Sequence, residues 1–454
     1  MKKPELLSPA GTLKNMRYAF AYGADAVYAG QPRYSLRVRN NDFLNENLAT
    51  GINEAHELGK KFFLATNVLP HNSKIKTFIR DIGSVIEMGP DALIMADPGL
   101  IMMVREQWPD MPVHLSVQAN TVNYAAVKFW QQTGVERIIL SRELSLDEIE
   151  MIRQECPDIE LEVFVHGALC IAYSGRCLLS GYFNRRDPNQ GTCTNACRWE
   201  YKTIEGKETA EGCQPLSSEI LNNEGADPDQ RHPLADEVYF LEEKNRPGEL
   251  MPIMEDEHGT YIMNSKDLRA VEHVERLVKI GIDCLKIEGR TKSHYYTART
   301  AQVYRQAIDD AVAGKPFDER LIGILENLAN RGYTDGFLQR HHDHEYQNYI
   351  QGASKSHQQQ FVGEVEKVDH ENGYAEIQVK NRFGVGDRIE IITPEGNHDL
   401  TLTELEDLQG NLVEVAPGSA YKVRIPFSKV GSEMGLLARY LDSDLPIKIA
   451  KVNG

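Results

Sequence analysis

Short apolar runs alternate with amphipathic helical patterns along much of this 454-residue chain. Strand–helix repeats at intervals of about 20–35 residues are typical of right-handed βαβ units that build a parallel sheet. Eight such repeats predict an α/β fold with a closed (β/α)8 barrel of the TIM type. A doubly wound open sheet is the alternative, although no Gly-x-Gly-x-x-Gly follows the first run. The runs lie at 4–11, 24–30, 60–68, 91–99, 113–120, 136–144, 161–169 and 283–290.

The pattern divides the chain into a large domain, an insertion, a linker and a small domain. The barrel is predicted to occupy 1–330, interrupted at 203–260 by an insertion that holds fifteen acidic and four basic side chains. Polar residues without periodicity at 331–360 predict a linker. Short alternating strands with glycine turns then predict a small antiparallel β-barrel at 361–440, a type that often presents loops to RNA or a protein partner. Residues 441–454 form a tail.

Four of the seven cysteines fall within 28 residues, at Cys170, Cys177, Cys193 and Cys197. Thiolates that converge in this way can hold zinc or an iron–sulfur cluster. The wide, unequal spacing and the apolar residues between the first pair favour a larger, electron-active cofactor. Ordinary buried cysteines in a core are the alternative.

No apolar run reaches the length of a signal peptide or a membrane span. This predicts a cytoplasmic protein with no membrane partner. Thiols stay reduced in the cytoplasm, so the cysteines are expected to bind metal or to take part in catalysis, and not to form disulfides.

Polar side chains gather where the predicted barrel strands end, which is where TIM barrels carry their chemistry. Cys170 comes just after the seventh strand, so the cysteine cluster is expected at the mouth of the barrel. The other polar residues at strand ends are Ser8, Asn67, Asp97, Gln118, Asn120, Arg142, Glu143, His166, Glu288 and Arg290.

The charge pattern limits how the chain meets nucleic acid. A net charge of −17 argues against a protein that binds nucleic acid with its whole surface. A local basic face beside the cysteines is nevertheless predicted, since bases outnumber acids there. Ordinary solvated arginines are the alternative. The bases are Arg176, Arg185, Arg186, Arg198 and Lys202, against Asp187 and Glu200.

The segment EVFVHGALCIAYSGRCLLS at 162–180 resembles the signature of the collagenase-like unclassified-peptidase family. ELLSPAG near the N-terminus, KIEGRTKS at 286–293 and NRGYTDGF at 330–337 also look like landmarks of that family. With the C-terminal β-domain, the resemblance spans nearly the whole chain.

Within that family, the chain is similar to a branch that hydroxylates uridine at carbon 5 at the wobble position of tRNA, which forms 5-hydroxyuridine. The resemblance implies a 4Fe–4S cluster held by Cys170, Cys177 and Cys193, with Cys197 as the fourth ligand. Cys213 and Cys284 are alternative fourth ligands. Expected partners are tRNA and an electron donor or accessory protein.

The resemblance also implies prephenate as a co-substrate, and a dianion of this kind requires fixed cations at the barrel mouth. Arg142, Arg290 and Lys292 end or follow the sixth and eighth strands. Arg290 is therefore predicted as a catalytic residue, and Arg142 and Lys292 as substrate-binding residues. Arg185 and Arg186 are assigned to the RNA. Salt bridges to Glu143 or Glu288 are the alternative role of the barrel-mouth cations.

Two other functions remain open. A peptidase would use Cys170 with His166, a predicted catalytic residue, but no His-Glu-x-x-His or Gly-x-Ser-x-Gly is present. A non-catalytic RNA-binding protein would use the metal only to stabilise its fold.

Overall fold

The computed structural model describes most of the chain, and no helix within that part is long and apolar enough to cross a membrane. The described residues are 2–31, 33–36, 42–170, 172–177, 266–330, 332–339, 359–429 and 431–441, together with Ser180, Asp187, Asn189, Cys193 and five strands between 206 and 261.

Eight parallel strands form a closed barrel in the order β14-β1-β2-β3-β4-β5-β6-β7, because β14 also pairs with β7. This closure confirms the predicted (β/α)8 barrel and excludes the open sheet. The strands are β1 (Glu5–Pro9), β2 (Ala26–Gly30), β3 (Lys61–Thr66), β4 (Ala92–Met95), β5 (Val113–Leu115), β6 (Arg137–Ile139), β7 (Glu160–Ala168) and β14 (Cys284–Ile287).

Several of the barrel helices begin at side-chain caps that the sequence supplies. Thr12 and Ser293 accept a hydrogen bond from the first turn of α1 and α8, and Ser145 with Glu148 forms a capping box at α6. The helices are α1 (Leu13–Ala21), α2 (Asn45–Glu57), α3 (Asn72–Ile86), α4 (Pro98–Gln107), α5 (Tyr124–Gln132), α6 (Leu146–Glu155), α7 (Val274–Ile280), α8 (His294–Val312) and α9 (Arg320–Glu326).

Between β7 and β14 the chain leaves the barrel and returns. It forms an antiparallel pair, β8 (Gly206–Thr209) with β9 (Gly212–Pro215), and a three-stranded sheet, β10 (Tyr239–Glu242), β11 (Leu250–Asp256) and β12 (Gly259–Tyr261). Strand β13 (Asp267–Arg269) then pairs antiparallel with β7, and β15 (Tyr333–Thr334) pairs with β13. Thus β15, within the predicted linker, belongs to the sheet of the barrel.

Residues 359–441 form the C-terminal β domain. A six-stranded antiparallel sheet has the order β20-β19-β23-β16-β17-β22, and β18 pairs with β21. Its strands are β16 (Gln359–Asp369), β17 (Tyr374–Val379), β18 (Phe383–Gly384), β19 (Arg388–Thr393), β20 (Gly396–Thr401), β21 (Val415–Ala416), β22 (Lys422–Ile425) and β23 (Leu436–Tyr440).

The C-terminal β domain packs directly on the barrel helices. The Tyr22 hydroxyl donates to the backbone oxygens of Ile392 at 2.8 Å and Met434 at 2.9 Å, and the Tyr295 ring stacks on Phe361 with 4.7 Å between centroids. Apolar residues of this domain therefore join the core that lies between the barrel strands and helices.

Buried charges reinforce this interface. Burial alone would raise the pKa of Glu364, but hydrogen bonds from His294, Lys14 and Lys380 outweigh it and hold the pKa well below its usual range. The carboxylate of this strand residue is therefore ionised and joins the C-terminal β domain to α1 and α8.

Candidate active site

A cavity of about 60 Å³ opens at the C-terminal ends of the barrel strands. Its lining comes from β2 to β7 and from β14, with the loops that follow them. Tyr28, Ile94 and Phe164 belong to the apolar cluster that fills the barrel interior, and they form the floor of the cavity. This end of a TIM barrel is where enzymes of the fold bind their ligands.

Three cationic side chains and one carboxylate face this cavity. Arg142 donates to Glu288 at 2.9 Å, and its guanidinium carbon lies 3.9 Å from the centroid of the Phe164 ring. Arg290, only 7% exposed, donates to the backbone oxygen of Leu36. Salt bridges were the alternative role of these arginines, and Arg142 forms one with Glu288 while still lining the cavity.

Lys286 is the third cation, and it lies deeper in the barrel. Its ammonium is 2.8 Å from a carboxylate oxygen of Glu162 and 4.3 Å from the centroid of the Tyr28 ring. Arg137 lies 3.4 Å from the other oxygen of Glu162 and is also paired with Glu5 and Glu160. A ladder of buried ion pairs therefore runs from the floor of the cavity toward the other end of the barrel.

Amide and hydroxyl groups complete the rim. The Asn67 amide donates to the Ser116 hydroxyl at 3.2 Å, and its oxygen accepts from the backbone N–H of Leu36 at 3.2 Å. Gln118 also lines the cavity. The loops after β2, β3 and β5 are thereby tied together, which holds the rim in one arrangement.

The cysteine segment follows β7 at the mouth of the barrel. Cys170 is exposed and lines the cavity, whereas Cys177 and Cys193 are half-buried. The Asn189 side-chain amide donates to the backbone oxygen of Cys177 at 3.2 Å. The backbone oxygen of Asn189 accepts from the backbone N–H of Leu69. These bonds anchor part of the segment to the loop after β3.

The described cysteines fit an iron–sulfur cluster in donor type and in location, since Cys170 stands at the cavity mouth. Among the described residues, no group of three or more histidine, cysteine or acidic side chains converges on one point. Cys197 lies outside the described residues, so the four-cysteine ligand set stays a prediction.

Cys284 and Cys213 are the two alternative fourth ligands, and both lie in strands. Cys284 is fully buried in the barrel interior, and this burial raises the pKa of its thiol well above the usual range. Cys284 also begins β14, at the opposite end of the strand from the cavity mouth, which argues against it as a ligand beside Cys170. Cys213 lies in β9, where only the backbone is described.

His166 does not line the cavity, although it belongs to the strand that leads into it. Its ring is buried against Tyr296, Tyr304 and Tyr333, with centroid distances of 5.4–5.8 Å. The Tyr304 hydroxyl lies 3.3 Å from Nδ1 of His166. The catalytic role of His166 remains a prediction, and this position offers it no contact with a ligand in the cavity.

Replacing His166 with phenylalanine is expected to reduce the acid sensitivity of the fold. Burial lowers the pKa of His166 to about 3, so the folded protein keeps it neutral while the unfolded chain protonates it near pH 6.5. Its contribution to stability is therefore present above pH 6.5 and declines as pH falls toward 3, by about 1.4 kcal/mol per pH unit. Urea unfolding between pH 7 and 5 measures this slope.

An unchanged pH slope in His166→Phe would contradict the neutral, buried state of this residue. Loss of activity in a variant that folds normally would instead support the predicted catalytic role.

The other predicted substrate-binding residues lie apart from the cavity or beyond the described part. Lys292 does not line the cavity; its ammonium lies 5.4 Å from the centroid of the Tyr296 ring, and its backbone oxygen accepts from Asn15. Arg185 and Arg186 lie outside the described residues. Their assignments stay predictions.

Sequence reasoning missed Lys286, Tyr28 and Ser174 as lining residues. Strand periodicity offered a signal for the first of these, because Lys286 precedes Glu288 by two residues and so was placed to share its face. A lysine within an otherwise apolar strand is a residue to examine in such a barrel.

The (β/α)8 barrel defines this molecule as a TIM-barrel protein. Its cation-lined cavity lies at the C-terminal ends of the strands, where enzymes of this fold have their active sites. Residues 11–348 match the model of peptidase family U32, and residues 357–439 match that of the peptidase family U32 C-terminal domain. The chain therefore belongs to peptidase family U32, which confirms the resemblance seen in the sequence.

Relatives in this family carry different names. The chain is 65% identical to tRNA hydroxylation protein P of Escherichia coli over 427 residues, which is 94% of each chain. It is 61% identical to tRNA hydroxylation protein P of Haemophilus influenzae over 432 residues, 93% of this chain and 92% of that one. It is 26% identical to a collagenase of Porphyromonas gingivalis over 406 residues, 86% of each chain.

Proposed function

We propose that this protein is a tRNA-modifying enzyme that hydroxylates tRNA. The observation that carries this proposal is the 65% identity to tRNA hydroxylation protein P over 94% of both chains. A match of this extent includes the barrel, the cysteine segment and the C-terminal β domain. The proposed product is 5-hydroxyuridine at the wobble position, with the protein acting on tRNA in the cytoplasm.

Prephenate is the proposed co-substrate, and the charge of the cavity supports a ligand of this class. Arg142, Lys286 and Arg290 line the cavity, and among the described residues only Glu288 adds a carboxylate to the lining. Guanidinium groups bind carboxylates through paired hydrogen bonds, and they keep their charge when buried. Tyr28 and Phe164 supply the apolar surface that the body of such a ligand needs.

The proposed 4Fe–4S cluster would be held by Cys170, Cys177, Cys193 and Cys197. It would supply the electron-transfer or radical chemistry that an unactivated pyrimidine carbon requires, with electrons from a donor or accessory protein. The residues of the chain itself orient and shield the reactants: Arg142 and Arg290 position the carboxylates, Glu288 holds Arg142, and the aromatic floor excludes water.

The proposal is tested by expressing the protein in an Escherichia coli strain that lacks its own tRNA hydroxylation protein P. We expect 5-hydroxyuridine to rise in hydrolysed tRNA, as measured by mass spectrometry. Cys170→Ala should lose both this product and iron. Cys156→Ala is the matched control, because Cys156 is buried at the C-terminal end of α6, does not line the cavity, and should change neither.

No rise in 5-hydroxyuridine with the wild-type protein would overturn the proposed product. Full iron content in Cys170→Ala would overturn its place in the ligand set. Cleavage of collagen peptides by the same preparation would favour the peptidase reading, for which the described residues offer Cys170 at the cavity without His166 beside it.

A further inference from the structure

A tight turn at residues 173–176 stands at the mouth of the cavity. The backbone N–H of Arg176 donates to the oxygen of Tyr173 at 3.0 Å, and Gly175 has a φ of +75°. Left-handed backbone at the third position is typical of a type II turn and favours glycine. The turn lies between two cysteines of the cluster segment.

This turn is held against the loop after β5. The Asn120 amide donates to the backbone oxygen of Ser174, and a Cβ at Gly175 would lie 2.7 Å from the backbone oxygen of Gln118. No side chain larger than hydrogen therefore fits at Gly175 without moving the loop. The turn is consequently a rigid part of the rim.

The residues at the two ends of the turn are exposed, whereas Ser174 within it faces the cavity. Ser174 is only 9% exposed and lines the cavity, whereas the Tyr173 side chain is 51% exposed. Arg176 is also exposed. A single exposed aromatic residue on a surface needs no explanation. An exposed ring and a cation on a rigid turn that borders a cavity form a surface with a defined chemistry.

We infer that turn 173–176 is a stacking platform for a nucleobase of single-stranded RNA, with Tyr173 as the stacking ring and Arg176 as the contact to the adjacent phosphate. This inference rests on the proposed function, and it names the part of the substrate that the mouth recognises. An enzyme that acts on a base must receive it unstacked, and unstacked bases are commonly held on aromatic side chains.

The negative net charge of the protein favours RNA recognition by base stacking over binding by a large basic surface. A net charge of −17 opposes binding of a polyanion by the whole surface. Stacking uses the π-face that every base presents and does not depend on net charge. A stacking contact at the mouth is therefore a form of RNA recognition that suits an acidic protein.

The experiment compares binding of a fluorescent tRNA anticodon stem-loop to the full-length protein and three variants under anaerobic conditions. We expect Tyr173→Leu to weaken binding by about 5- to 100-fold, the range for one stacked base. Tyr173→Phe keeps the ring and should bind within about twofold of wild type. Phe129→Leu is the matched control, because Phe129 is 58% exposed on α5 and should bind normally.

Iron content and binding of a blunt RNA duplex are measured for every variant. Both should be unchanged in Tyr173→Leu if the residue acts by stacking. Normal stem-loop binding by Tyr173→Leu overturns the inference, and so does an equal loss in Phe129→Leu or in duplex binding. Binding that responds as expected without any 5-hydroxyuridine formation overturns only the proposed function. No binding by the wild-type protein overturns both.

Discussion

Replacing Lys286 with methionine is expected to abolish hydroxylation and to lower the free energy of unfolding by about 3 kcal/mol. The stability effect arises because Glu162 has no exposed surface and would lose the closest cation with which it forms an ion pair. Arg137 replaces that cation only in part, since it lies 3.4 Å away and already pairs with Glu5 and Glu160.

A second substitution separates the two effects of Lys286→Met. Adding Glu162→Gln removes the unpaired charge, so urea unfolding should show that most of the lost stability returns. Binding of prephenate, measured by calorimetry, should stay at least about tenfold weaker than in wild type, because a hydrogen bond to a charged group is worth about 1.5–3 kcal/mol. Lys61→Met is the control: this lysine is 53% exposed beside Glu5 and should change stability by less than about 1 kcal/mol.

Two results would contradict this role of Lys286. Unchanged stability in the single variant would mean that the ion pair with Glu162 contributes little to the fold. Normal prephenate affinity in the double variant would mean that Lys286 acts only through the fold.

Replacing Arg299 with alanine is expected to lower the free energy of unfolding by about 3–5 kcal/mol and to loosen the C-terminal β domain. Arg299 is 1% exposed on α8 and pairs with Glu390 on β19. Glu390 also accepts from Gln359 and Asn397, both at 2.9 Å. Those amides would remain beside the carboxylate but carry no charge to balance it.

Urea unfolding and limited proteolysis measure the two parts of this expectation. The matched control is Lys315→Ala, because Lys315 is 66% exposed in its pair with Asp310 and its loss should leave stability nearly unchanged. An Arg299→Ala variant as stable as that control would mean that the domains are held by their apolar contacts alone.

The barrel was predictable because its signal is local and repeated. Apolar runs at even spacing record the alternation of buried strands and half-buried helices, and the capping box at Ser145 marks a helix start in four residues. The mouth location of Cys170 followed from its place after β7. The family was predictable for the same reason, since its signature is one continuous segment of the chain.

The candidate site was predictable only in part, because its members come together from different strands. Arg142 and Arg290 were found from strand ends, but His166 illustrates the limit of that reasoning. The pairing of β7 with β14 shifts register between Lys286 and Ile287, so the alternation that places Glu162 and Phe164 inside the barrel does not continue to His166. The irregularity depends on a neighbouring strand more than 100 residues away in the chain, which no local pattern reports.

The sequence by itself therefore determined the class of fold, the family and the segment that carries the cysteines, because each is specified by patterns of residues that are contiguous in the chain. Tertiary structure decided which side chains share the cavity, that Lys286 pairs with Glu162, and that Arg299 meets Glu390 across two domains. The physical reason is that burial and pairing depend on which side chains face one another in three dimensions. For these pairs, the partners are 124 and 91 residues apart in the chain.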